Sequence, residues 1–593
     1  MGLLQRAIET YDANTDLIGV YKVDHEPLAP IGHGLTSANI EVTLNAQGEF
    51  ITARKVDKSE PKILIPLTEE SGGRTSALAA HPLCDQLKYI ACKNAKAHEL
   101  YLETLKKWRD SEYTHPFLAA VYSYAASNTI IDDLRKCGII AANTNGSYDE
   151  KLLVCWRVIG VDGEEPDCWK NQNLFSAYIA YYTELISVRG AALCMLEGKM
   201  NTIALQHTKG IIPVNGNAKL ISANDKSGFT YRGRFSEESQ AATVGYAASQ
   251  KAHSALRWLA SEQGVLAGNR IFICWNPAGK VIPQPMRRLR DKDAKPARKP
   301  SDYRKQLQGT MLSCRKENQL RDEDETVLVS FDAATTGRLA VTYYNELSVG
   351  TFLERMHDWD AHCCWYAGKY GIQASNLLDI VNSAFGIERN AYLETDDRIR
   401  RQHLQRLLNC KIGGGIFPLD ILRALVQRAS SPQAYSESNW RKIVQTACAA
   451  LQKYRYDTKL GGNEMDWELD KKDRSFQYGR LLAAMERAEA DYYSKTKDDR
   501  QTNAVKSMSE FRRRPFSVFE RLNRHLERAY LNRIEPWKVQ RYKRLVGEIF
   551  KILSEFPESE LNRPLDDLYL MGYELQRNAF FEKNDTTDNK EEE

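Results

Sequence analysis

"TVLVSFDAATTGRLAVTYYNEL", residues 326 to 347, sets two β-prone runs on either side of a Thr-Thr-Gly turn. A phosphate-gripping loop of the sugar-kinase and actin type uses a strand, an Asp for the metal, then Gly and paired threonines. That would cast Asp332, Thr335 and Thr336 as an ATP site. Ala333, however, stands where a Gly must let phosphate approach the backbone, no second phosphate loop or adenosine loop follows, and G-x-x-x-x-G-K-[ST] is absent. The same residues fit a hairpin, with β-branched and aromatic runs flanking a Gly-containing turn. The hairpin reading puts strands in the middle of the chain and makes the expected class α+β.

Working outward, residues 1 to 285 alternate short β-rich runs with helical patterns. "KILIPL" (62–67), "KLLVCWRVIG" (151–160), "AKLISA" (218–223) and "NRIFICWN" (269–276) read as strands, while Ala252, Leu256 and Leu259 repeat at helical spacing in 247–264. This is a mixed α/β N-terminal region. Residues 286 to 326 read as a basic, mobile segment: from 286 to 316 there are eleven Lys or Arg against three Asp, with two prolines and little apolar periodicity. The hairpin and helices fill a middle region, 327–464, and an all-helical bundle follows at 465–582. The acidic tail, 583–593, is too polar to build a core.

With 593 residues and 42% apolar content, the chain can bury several cores. A net charge of +4, from 82 basic and 78 acidic residues, does not mark a nucleic-acid binder, so the distribution of charge has to decide. Twelve cysteines without one C-x-x-C, and no leader or 18-residue apolar run, lead us to expect reduced thiols in a cytoplasmic protein without a membrane span or myristoyl anchor, since Arg6 stands where Ser or Thr is required. Neither a metal nor another cofactor is expected.

Hydrolase patterns are missing: there is no H-E-x-x-H and no G-x-S-x-G. His357, Asp358, Asp360 and His362 could ligate a nuclease metal only if other elements completed the site; otherwise Trp359, Cys363 and Trp365 are core. The helical end says more. In "RPFSVFERLNRHLERAY", Phe516, Phe519, Leu522, Leu526 and Tyr530 form one stripe, whereas Arg521, Arg524 and Arg528 fall on another face. From 500 to 551, fourteen Lys or Arg oppose five Asp or Glu, which gives the bundle a basic side suited to a nucleic-acid backbone or to solvent.

Three stretches, "SGGRTSALAAHPLCDQLKYI" (71–90), "AKLISANDKSGFTYRGRFSEESQAATVGYAASQKAHSALRWL" (218–259) and "VSFDAATTGRLAVTYYNELSVGTFLERMHDWDAHCCW" (329–365), together with "FQYGRLLAAMERAEADY", "RPFSVFERLNRHLERAY" and "LMGYELQRNAFF", resemble in content and order the large subunit of the type I-C CRISPR surveillance complex, Cascade. The likeness spans nearly the whole chain. It departs from the family where "HPLCDQ" replaces an aromatic-rich string and where a Gly is displaced into "TYRGR".

The resemblance implies a subunit without a catalytic site of its own. Its partners would be guide RNA, a backbone filament, a processing subunit, a small subunit, double-stranded target DNA and a recruited helicase-nuclease. The implied task is to recognise the protospacer-adjacent motif and open the duplex beside it, while base pairing reads the target. Within that frame, Gly72, Gly73, Arg74, Thr75 and Ser76 are candidate motif readers, and Asn224, Lys226, Gly228, Arg232 and Arg234 are candidate duplex contacts. Arg287, Arg288, Arg290, Arg298, Lys299, Arg304 and Lys305 would form a phosphate arm. Arg512, Arg513, Arg514, Arg521, Arg524 and Arg528 would line the displaced strand. The resemblance also implies a separately translated small subunit, for which Met465 stands at the helical boundary and starts a product of 129 residues (593 − 465 + 1).

Overall fold

A computed structural model describes residues 2–74, 77–141, 148–222, 242–290, 295–460 and 468–585, with side chains to residue 580. The chain forms two compact units that share it discontinuously: Met1–Val281 with Glu325–Leu347, and Ile282–Asp324 with Ser348–Glu593.

The first unit has two large cores among its described residues. Around one, strands β1 (His33–Thr36) and β4 (Ile63–Pro66) pair antiparallel, and β2 (Ile40–Asn45) lies between antiparallel β3 (Phe50–Lys55) and parallel β5 (Val154–Ile159). Alternate residues Ile40, Val42 and Leu44 of β2 and Val154, Trp156 and Val158 of β5 are buried. They pack with Tyr101, Leu105 and Trp108 of a helix at Ala95–Arg109 and with Phe117 and Val121 of another at Pro116–Ser127.

The other core lies under a four-stranded sheet, in the order β9 (Ala340–Ser348), β8 (Glu325–Asp332), β7 (Arg270–Trp275), β6 (Val265–Ala267). The stretch 326–347 is therefore a hairpin, and its first strand pairs antiparallel with β7 from Val327 opposite Trp275 to Asp332 opposite Arg270. Every residue of β8 after Glu325 is buried, as befits an interior strand. Helices α1 (Leu3–Ala13) and α2 (Tyr246–Gln263) cover the sheet, and the small Ala7, Ala252 and Ala255 let them pack closely over Ile271, Ile273, Val327, Val329 and Phe331. One expected strand does not form. Over its described residues, 218–222 make only single bridges, Lys219 to Lys209 and Lys219 to Arg338, with no ladder to extend them.

In the second unit, the segment expected to be mobile contains helix α3 (Pro300–Glu317). Pro300 begins it with a preset φ, and Tyr303 and Leu307, one turn apart, bury against Ala361, Cys364 and Ile372; the charged residues occupy the remaining faces. Further down the chain lie α4 (Val349–His362), α5 (Asp397–Gly413), α6 (Glu437–Asp457), α7 (Arg474–Thr496), α8 (Pro515–Ala529), α9 (Pro536–Leu553) and α10 (Leu568–Asp585). The α+β class with a helical C-terminal region is the one expected.

Helices α7 and α10 cross at a pair of glycines. A Cβ on Gly479 would lie 2.0 Å from the Tyr569 carbonyl oxygen, and one on Gly572 2.0 Å from that of Phe476. Beside the crossing, buried Glu486 of α7 accepts hydrogen bonds from Arg441 of α6 at 2.8 Å and Tyr573 of α10 at 2.6 Å, and lies 3.1 Å from Arg577. Burial pushes the Glu486 carboxyl up, but Arg577, Arg441 and Tyr573 outweigh it, so it sits below its ordinary value and stays ionised.

Candidate nucleic-acid interface

A groove of about 700 Å³ opens in the first unit between the β1–β4 pair, the 206–216 segment and α2. Its rim includes Gly72, Gly73 and Arg74 of the predicted reading loop. Thr68 caps a short helical turn, Glu69–Gly73, and accepts from the Ser71 amide at 3.0 Å. Buried Glu69 then ties this turn to the neighbouring segment by accepting from the amides of Leu205 (2.8 Å) and Gln206 (3.1 Å) and by pairing with Arg189. A Cβ on Gly73 would lie 2.3 Å from Gln206 Oε1, so this position needs glycine as long as Gln206 stays where it is.

Arg74 is not the freely projecting cation its position in the loop suggested. Its guanidinium makes a two-pronged pair with fully buried Asp85 (2.9 and 2.5 Å), donates to the Ala79 carbonyl at 2.6 Å and lies 4.5 Å over the Tyr89 ring. Asp85 also accepts from the amides of His81 and Gln86, both at 2.7 Å. The Leu83 carbonyl, two residues earlier, accepts from Tyr101 Oη at 2.7 Å and Trp156 Nε1 at 3.0 Å, which anchors this turn to the first core. Arg74 therefore positions the loop. The string "HPLCDQ" carries the hub, and Asp85, eleven residues after an Arg in a turn-rich run, was the available signal.

Lys209 and Arg257 in the groove lining, and Lys219 beside the Gly72–Gly73 turn, escaped sequence reading. Lys209 donates to the Arg74 carbonyl at 3.2 Å, Lys219 reaches to 3.8 Å from the Cβ position of Gly73, and Arg257 donates to the Leu35 carbonyl at 2.9 Å. Burial lowers all three; the proximity of Arg74 adds to the effect on Lys209, and that of Lys209 to the effect on Lys219. Burial likewise lowers His33 and His81 to about 4 and His207 to about 3, leaving neutral rings at physiological pH.

Thr75, Ser76, Asn224, Lys226, Gly228, Arg232, Arg234 and Met465 lie outside the described residues. The phosphate-arm residues are anchored in the second unit. The Arg288 amide donates to Asn376 Oδ1 at 3.0 Å, and the Leu289 amide to Asp360 at 2.6 Å. Ala297 is buried, and its carbonyl accepts from the Ile372 amide at 2.8 Å. Arg287, Arg290, Arg298, Lys299 and Lys305 are exposed, whereas Arg288 and Arg304 are partly covered. In the C-terminal set, Arg512 pairs with Asp567 (2.7 Å) and Arg521 with Glu510 (2.5 Å), while Arg513, Arg514, Arg524 and Arg528 are exposed and make no ion pair with a described residue. The stripe behind them uses Val518, Phe519, Leu522 and Leu526; Phe516 and Tyr530 are only partly buried.

The rejected enzyme sites take structural roles. Asp332 pairs with Arg270 at 2.8 Å across the β7–β8 ladder. Asp360 is fully buried 3.1 Å from Lys411, Asp358 lies 2.8 Å from Lys453, and Trp359, Cys363 and Trp365 are core. No group of three or more His, Cys, Asp or Glu suited to a metal occurs among the described residues, and no described helix is long and apolar enough to cross a membrane.

A family model described as CRISPR-associated protein (Cas_Csd1) matches residues 10–581. The chain belongs to this family. It is therefore a CRISPR-associated, Cascade-type large subunit of an interference complex. No curated protein matches it.

Proposed function

We propose that this chain is the non-catalytic large subunit of a type I-C complex, that it recognises the protospacer-adjacent motif in duplex DNA, helps open the duplex, and supports recruitment of a helicase-nuclease. The observation that carries this is a cation-lined groove, bordered by the Gly72–Gly73 turn, in a chain whose family match runs from residue 10 to 581. In this reading the 72–76 loop, held in place by Arg74 and Asp85, faces base edges, and the 224–234 stretch with the 287–305 residues meets duplex phosphates. Arg513, Arg514, Arg524 and Arg528 meet the displaced strand. Exchanging a DNA duplex for an RNA–DNA duplex is nearly balanced in free energy, so modest protein contacts can tip it.

Reconstitution of the guide-loaded complex with and without the chain, compared on matched duplexes with correct or scrambled flanks at fixed salt, tests the proposal. Discrimination that depends on the chain is expected, and equal discrimination in its absence would overturn the reading. If Arg74→Ala and Thr75→Ala leave discrimination intact, the loop assignment fails. An architectural role is favoured by the ion pairs of Arg512 and Arg521; it predicts that changes on the basic face alter assembly but not DNA affinity.

The Met465 product belongs to the same proposal. It would carry α7 to α10 without Arg441, leaving Arg577 to neutralise Glu486. Mass spectrometry of cells expressing this gene alone should find the 129-residue product, and its absence removes the idea.

A further inference from the structure

The turn of "FDAATTGR", which lacks the phosphate-loop pattern, reaches the backbone of Lys219 beside the groove. The Lys219 amide donates to the Gly337 carbonyl at 3.2 Å, and the Leu339 amide returns to the Lys219 carbonyl at 3.0 Å. The β8–β9 loop thus grips Lys219 by both of its backbone polar groups, and the opposite side of Lys219 bridges antiparallel to Lys209. Two lysines are thereby fixed side by side, with Arg74 adjoining, where hydration is incomplete.

Among the described residues, the nearby acids are bound mainly to other groups, and only Glu69 favours the charged form of Lys219. Asp85 is taken up by Arg74, His81 and Gln86, and Glu69 by Arg189, Leu205 and Gln206. Neither Lys209 nor Lys219 makes an ion pair with a described carboxylate. Half-buried ammonium groups that share a site are costly: burial and a neighbouring cation lower both, and the Glu69 carboxylate, which acts the other way on Lys219, offsets this only in part. An arriving polyanion would relieve this, and the open groove gives it access.

We propose that Lys209 and Lys219 form a phosphate clamp beside the Gly72–Gly73 turn, with the 333–339 loop as the bracket that sets Lys219, and that the clamp takes a backbone phosphate of duplex DNA. The assignment rests on the DNA-recognition reading above and adds a site to it. Contacts of this kind hold the duplex in register and are blind to base sequence.

The test uses the guide-loaded complex carrying the full chain with Lys209→Gln, Lys219→Gln, both changes, or Lys219→Arg, titrated with correct-flank and scrambled-flank duplexes over a salt series. Each Gln variant should weaken both duplexes alike by roughly three- to tenfold and reduce the salt slope by about one, while Lys219→Arg retains binding. A double variant that melts like the parent and binds with unchanged affinity and slope overturns the clamp. So does a loss confined to flank discrimination, which would make the lysines base readers. If inorganic phosphate, compared with chloride at equal ionic strength, raises the melting temperature of the parent chain but not of the double variant while duplex affinity ignores the lysines, the site takes small anions and the DNA assignment falls. Should the parent chain confer no discrimination while the Gln variants still lose affinity and slope, the clamp stands and the motif-reading function falls.

Discussion

Asp85 shows how one side chain governs the groove. Fully buried, it satisfies two guanidinium donors and two amides, so Asp85→Asn should cost about 3 kcal/mol by leaving Arg74 without its counter-charge. Denaturant unfolding measures this, and an unchanged midpoint would deny the hub role. The histidines set a pH dependence. With His33 and His81 lowered to about 4 and His207 to about 3, the unfolded chain, titrating near 6.5, binds more protons between those values. Stability is then complete above pH 6.5 and declines as the pH drops toward 4, by about 1.4 kcal/mol per histidine for each pH unit. Melting curves from pH 8 to 4.5 should show it, and a flat profile contradicts the neutral-ring assignment. At this scale the sequence was only half legible. The glycines and Arg74 could be picked out from residue type, but pairing with Asp85 depends on the Tyr101 and Trp156 hydrogen bonds that fold residues 81–86 back. The Lys209–Lys219 juxtaposition joins segments through a loop more than a hundred residues later, which no local pattern encodes.

Elements whose pattern reflects their own burial were legible. Runs 62–67, 151–160 and 269–276 became strands because ladder partners cover their β-branched residues, and the described residues of "AKLISA" did not because they make single bridges and no ladder. Helix crossings are less visible. "FQYGRLL" and "LMGYELQ" each show a glycine inside a helical pattern, which signals a cost without naming the reason. The reason is the α7–α10 approach. Gly479→Ala and Gly572→Ala each gain up to about 1 kcal/mol in helix propensity, but the new methyl meets a backbone carbonyl that cannot rotate away. The helices must part, so each change should be net destabilising by about 1–3 kcal/mol in thermal or chemical unfolding, and a stabilised variant would refute the close contact. On α8, exposed Arg524 and Arg528 differ from paired Arg521. Reversing the first two should weaken displacement of the non-target strand, read by permanganate footprinting, more than initial duplex binding; equal losses would count against that division.

At the scale of the whole molecule, the two units are interleaved: the chain leaves the first at Val281, returns at Glu325 and leaves again after Leu347. Cutting at 281 removes β8 and β9, leaving β7 paired with β6 alone and stripping the sheet of Val327, Val329 and Phe331. Fragment 1–281 should therefore aggregate, whereas 1–347, which restores them, should give a dispersed and cooperatively melting species; size-exclusion chromatography separates the cases, and a well-behaved 1–281 would contradict the division. The same interleaving has a consequence during synthesis. After residue 281 has been translated, the open edge of β7 must wait for the 51 residues from 282 to 332, about 3 to 10 s at roughly 5 to 20 residues per second, before its partner strand β8 has been made. Through that interval the nascent chain exposes a hydrophobic strand edge, so the speed of decoding across codons 282–332 becomes a determinant of how much protein reaches its complex.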